Sequence, residues 1–105
     1  MLNAAIRIRS RVEHASRDKF DADEDLQIVL THLIEIVGEA ARNVSTEFRA
    51  GHTHIPWADI IGMRHRLIHD YSSIDLEQVW ETAIDDIPKL IAMIEPLVPP
   101  EEPSA

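Results

Sequence analysis

Between Leu26 and Val44 apolar residues recur so densely that only a helix at the centre of the molecule, or one shared with a second subunit, can bury them. Leu26, Val29, Leu30, Leu33, Val37, Ala40, Ala41 and Val44 form one stripe at helical spacing, and Ile28, Ile34 and Ile36 widen it nearly all round. Gly38 would let a covering helix approach closely. Asp21, Asp23, Glu24 and Asp25 precede the run, where the positive end of a helix dipole favours carboxylates, and so mark its start.

The flanking segments repeat the helical period. Ala5, Ile8, Val12 and Ala15 give a short amphipathic helix, with Arg7, Arg11 and His14 on a neighbouring face. Ser45 to Ile55, holding Gly51, His52 and His54, reads as a loop with solvated histidines. Pro56 suits a first helical turn, so a third helix is expected from Trp57 to about His69. A fourth begins after Ser73 or Asp75, and Pro88 should kink or divide it; its apolar face runs through Leu76, Val79, Trp80, Ala83, Ile84, Ile87, Leu90, Ile91 and Ile94. Three glycines are too few for a rich set of tight β-turns. Short connections between such segments predict an all-α, antiparallel bundle of four to five helices. It would form a single domain over residues 1–95, with a Pro/Glu-rich extended or disordered tail over 96–105.

Composition removes several function classes. The chain has no cysteine, so thiol nucleophiles, zinc–thiolate sites and disulfides are excluded. No apolar run reaches the roughly 20 residues of a membrane span and no signal-peptide pattern opens the sequence, which leads to the expectation of a cytoplasmic protein without membrane association. A net charge of −9 argues against a generic nucleic-acid binder. Yet residues 1–19 carry five cationic side chains against two carboxylates, a local +3 that leaves −12 for the remainder. Arg7 and Arg11, with His14 beside them, are therefore candidates for a basic RNA footprint, or simply a solvated face.

The chemistry concentrates in Arg64-His65-Arg66-Leu67-Ile68-His69-Asp70-Tyr71. On one continuous helix Arg64 would sit among Ile60, Ile61, Met63, Leu67 and Ile68, pointing toward the apolar seam. It would serve there as a buried ion-pair partner of Glu39 or as a phosphate clamp. His69, five residues on, would lie about 140° away on an ideal helix. Either the helix ends before His69, or two copies of the chain contribute to one cleft. Taken alone, His69 could also cap a helix and Tyr71 could be a core aromatic.

Arg64, four intervening residues, His69, one residue and Tyr71 together resemble the signature of HepT-like toxins, a branch of the HEPN superfamily. His65 suits the polar position after the arginine, where many HepT-like sequences carry Asn. Ile36-Val37-Gly38-Glu39-Ala40-Ala41, Ile55-Pro56-Trp57, Ile61-Gly62-Met63-Arg64 and Asp86-Ile87-Pro88-Lys89-Leu90 are similar to the family at matching relative positions, so the resemblance covers most of residues 26–95. It implies a helical HEPN homodimer with a metal-independent endoribonuclease site and no cofactor. It also implies a partner, a minimal nucleotidyltransferase antitoxin that silences the toxin by attaching AMP to the motif tyrosine, here Tyr71, and with which the dimer could assemble further. Arg64 and His69 are then the catalytic pair, and His65, Arg66 and Glu39 supporting or RNA-contacting residues. Two rivals stand beside this reading: a catalytically silent HEPN module that binds nucleotide or partner, and a carboxylate metal site from His32, Glu35 and Glu39.

Overall fold

A computed structural model describes residues 1–70 and 73–98, with His69 and Asp70 described by their backbone alone. The architecture is the all-α, HEPN-like bundle expected. Its centre is α3 (Glu24–Arg42), against which α1 (Leu2–Val12), α2 (Arg17–Ala22), α5 (Trp57–Ile61), α6 (Met63–Leu67) and α7 (Leu76–Glu81) all pack. The apolar stripe explains this position: Leu30, Leu33, Ile34, Val37 and Ala41 are buried. The stripe does not close all round, however, because Ile28 and Ile36 remain 54% and 38% exposed.

Capping residues set the helix starts. Asp23 accepts from the Leu26 N–H at 3.0 Å, and Glu24 and Asp25 fill the first turn of α3. Ser16 does the same for α2 through the Lys19 N–H, so the acidic stretch is split between two helices rather than heading one. The Gln27 amide ties them together by donating to the Phe20 and Asp21 carbonyls at 2.9 and 3.2 Å. Phe20 is fully buried, its ring 5.2 Å from that of Trp80.

Several expected boundaries move. Residues 45–55 are not all loop: Ser45 caps a short helix, α4 (Thr46–Gly51), by accepting from the Phe48 N–H at 3.1 Å. The third helix breaks at Gly62 into α5 and α6, and α6 stops at Leu67, two residues short of His69. Ile68 turns to extended backbone (φ −117°, ψ 110°) and begins β1 (Ile68–Asp70), antiparallel to β2 (Ser73–Ile74). The Asp75 N–H donates to the Leu67 carbonyl at 2.7 Å, satisfying one of the acceptors left at the end of α6.

The last helix is divided ahead of Pro88, by a π turn rather than by a gap, and Pro88 falls in the first turn of the segment that follows. α7 runs through a π turn (Thr82–Asp86) into α8 (Ile87–Ile94), and the Ile87 N–H bonds back five residues to the Thr82 carbonyl. The widened turn absorbs the site where proline lacks a donor and crowds the preceding turn. Helical structure extends into the supposed tail as a 3-10 turn (Glu95–Leu97), with Leu97 packed on the core. Residues 99–105 lie outside the described part. Among the described residues no helix is long and apolar enough to cross a membrane.

Candidate functional site

Met63 and Leu67, four residues apart, take the buried side of α6 and leave Arg64, His65 and Arg66 exposed in a row. The expectation that Arg64 points into the apolar seam is thus corrected: its side chain is 59% exposed. The physical reason is where the buried stripe lies: Ile60, Met63 and Leu67 are buried at helical spacing across Gly62, while Ile61 and Ile68 on the other side of Arg64 are only half-buried, so Arg64 stands at the edge of the apolar face rather than at its centre. Its partner also differs. Arg64 Nε lies 3.8 Å from Glu35 Oε2, whereas Glu39 faces Arg42 at 3.8 Å on its own helix. Both are long, largely solvated contacts rather than the buried ion pair weighed for Glu39.

Arg66 Nη2 makes a long contact of 3.5 Å to the Asp59 carbonyl. Among the described residues, no group of three or more His, Asp or Glu side chains is placed to hold a metal ion, so His32, Glu35 and Glu39 do not converge. Arg7 and Arg11 are exposed, as a footprint requires. They lie on α1, which packs on α3, α8 and the π turn, whereas α6 packs on α3, α5, α7 and β1.

The backbone at His69 carries a feature that no periodicity announces. Ile68 pairs with Ile74 and Asp70 with Ser73, so His69 is the extra residue of an irregular ladder, a bulge. Bulges bend a strand and re-aim the side chain at the extra position. The His69 side chain and the whole of Tyr71 lie outside the described residues. What the described structure brings together is Arg64 in the first turn of α6 and the His69 backbone just past its end, joined by the exit of the chain from helix into ribbon.

Two residues not singled out in the sequence lie close to this motif. Arg42, at the end of α3, and Arg49, on α4, line an open groove together with His65. Arg49 was overlooked because its segment read as loop. The signal that could have found it is the Ser45-Thr46-Glu47-Phe48 start, a capping serine followed by an acidic first turn.

A family model described as ribonuclease HepT-like matches residues 1–97. The chain belongs to the HepT-like family. Relatives of this HepT-like chain include a protein of Caldanaerobacter subterraneus subsp. tengcongensis, provisionally named an RNase, at 36% identity over 88% of this chain and 82% of its own length. A Thermococcus cleftensis protein, provisionally named ribonuclease HepT, is 36% identical over 76% of this chain and 73% of its own. A Methanocaldococcus jannaschii protein named as a gamma-glutamylcyclotransferase and, provisionally, an RNase is 39% identical over 85% of this chain but only 42% of its own. No solved structure gives a significant match.

Proposed function

We propose that this HepT-like chain is the toxin subunit of a toxin–antitoxin pair, an endoribonuclease that cuts RNA without a metal ion. The observation that carries the reading is Arg64, exposed on α6 with one long ionic contact among the described residues, five residues before the chain delivers His69 on a bulge. A guanidinium so weakly engaged is available to a substrate phosphate.

The reaction has three requirements. The substrate 2′-oxygen loses its proton and attacks phosphorus, the P–O5′ bond breaks with a proton going to O5′, and the five-coordinate phosphorane needs charge stabilisation. His69 serves as the proton-transfer group and Arg64 holds the phosphoryl oxygens, with His65 and Arg66 meeting the strand alongside. Acid and base roles require two such groups. A symmetric dimer supplies the second histidine, and the exposed Ile28 and Ile36, eight residues apart on α3, offer an apolar surface for a partner copy. Arg7 and Arg11 extend the RNA footprint by charge.

The partner is a minimal nucleotidyltransferase antitoxin acting in the cytoplasm. Tyr71 attacks the α-phosphorus of ATP, pyrophosphate leaves, and the AMP group then obstructs the cleft sterically and by its negative charge. Incubating the purified chain with RNA in excess chelator tests the proposal. Fragments ending in a 2′,3′-cyclic phosphate are expected; intact RNA alongside retained binding would favour a silent nucleotide- or partner-binding module instead.

A further inference from the structure

Beside the motif, the end of α3, α4 and the α5–α6 junction enclose an open groove of about 700 Å³. Its charged and polar lining comes from Arg42, Thr46, Arg49 and His65, and Trp57 and Ile61 contribute apolar surface. Among the described residues no carboxylate lines it, although the chain carries −9 overall. His65 directly follows Arg64, so the groove opens one residue from the proposed phosphate clamp.

Arg49 is the informative side chain. Its Nε is buried and has no hydrogen-bond acceptor, and among the described residues Arg49 joins no salt bridge. A buried guanidinium N–H without a protein acceptor is costly, and with no carboxylate paired to it among the described residues Arg49 keeps a charge that an anion in the groove it lines can meet. Arg42 adds a second cation whose only ionic contact among the described residues is 3.8 Å long and solvated. Two arginines, a hydroxyl and an apolar floor suit a nucleotide, with its phosphate on the guanidinium groups and its sugar and base over Trp57 and Ile61.

We infer that this groove is a subsite for the strand flanking the cut, in which Arg49 and Arg42 bind the phosphate of a neighbouring nucleotide of single-stranded RNA. The inference rests on the ribonuclease reading and extends it from the scissile phosphate to the substrate on one side. It also explains how an acidic protein holds RNA, by cations gathered in one groove rather than spread over its surface.

The test is equilibrium binding of a fully 2′-O-methylated RNA oligonucleotide, which lacks the attacking hydroxyl, across a range of salt concentrations. Arg49→Gln should weaken binding about tenfold and lower the slope of log K against log salt by about 0.7, the loss of one single-strand phosphate contact. Arg49→Lys should restore the slope, because it restores the charge. Arg42→Gln, at an exposed position, should act in the same direction and keeps the test decisive if Arg49→Gln fails to fold. Lys89→Gln removes the same charge from α8 and should leave binding near wild type. Wild-type affinity and slope in both arginine variants would overturn the subsite.

Parallel cleavage of unmodified RNA separates this inference from the activity on which it rests. Cutting by the wild type with no effect of either arginine removes the groove and leaves the ribonuclease. Arginine-dependent binding without cutting keeps the groove and removes the ribonuclease. Free AMP or ATP binding as tightly as the oligonucleotide, and dependent on Arg49, would overturn the assignment to an RNA strand.

Discussion

Replacing Arg64 by alanine separates a structural arginine from a functional one, because its ion pair is weak enough to be discounted. At 3.8 Å, two unit charges in water attract by about 1 kcal/mol, before salt screening and the entropy of holding both side chains. Glu35 is 33% exposed and Arg64 59%, so the pair belongs with solvated bridges, whose measured coupling is about 0.2–1 kcal/mol. A double-mutant cycle of Arg64→Ala with Glu35→Gln, read by urea denaturation at fixed protein concentration, should return a coupling in that range. Cleavage should nevertheless fall by at least ~10²-fold, the scale of losing one transition-state anion donor. Arg64→Lys should recover little of it, since the ammonium keeps the charge and loses the planar fork. A coupling above about 2 kcal/mol would refute the solvated-pair reasoning, and a folded Arg64→Ala that cuts RNA at the wild-type rate would refute its place in the chemistry.

His69→Ala should lower the single-turnover cleavage rate by ~10²–10⁴-fold with the thermal melting curve preserved; undiminished cleavage would remove His69 from the mechanism. Tyr71→Phe should resist labelling by the antitoxin with α-labelled ATP, and label at the wild-type level would exclude Tyr71 as the acceptor. Gly38→Ala should destabilise the fold by about 1 kcal/mol despite alanine's better helix propensity. The added Cβ would stand 3.2 Å from the Ile60 carbonyl and 3.5 Å from that of Ile61, both backbone atoms of α5, and a raised urea midpoint would contradict this.

The long elements were legible in the sequence because they bury a face. α3 shows its stripe over five turns, and Val79, Ala83, Ile87, Leu90 and Ile94 carry the same signal through α7 and α8. The motif was legible as spacing. What escaped lies in segments too short for a period: α4 has six residues, and the two strands have three and two. Arg64 was placed on the wrong face because apolar residues flank it on both sides in sequence, and composition does not show that only Ile60, Met63 and Leu67 are buried while Ile61 and Ile68 stay half-exposed. Glu35 and Glu39 lie one turn apart on the same side of α3, so the sequence could nominate either as its partner. The structure makes Gly38 an intramolecular contact with α5, where the apolar helix alone left open an approach by a second subunit.

The bulge in the small ribbon also bears on chain length. Ile68 and Asp70 use both residues of β2, so the hairpin carries one residue more than its ladder needs, and that residue is His69. Pairing alone would be better served by a shorter chain. Removing His69 would leave two residues against two, tighten the ribbon and draw Asp70 one step nearer Leu67, where the bond from Asp75 already holds both ends together. The surplus residue is not needed by the ladder, and it stands at the position where the proposed chemistry requires a histidine. Insertions and deletions should be tolerated around α4 long before they are tolerated between Leu67 and Asp75, where a one-residue slip turns the side chains of the shifted strand to the opposite face.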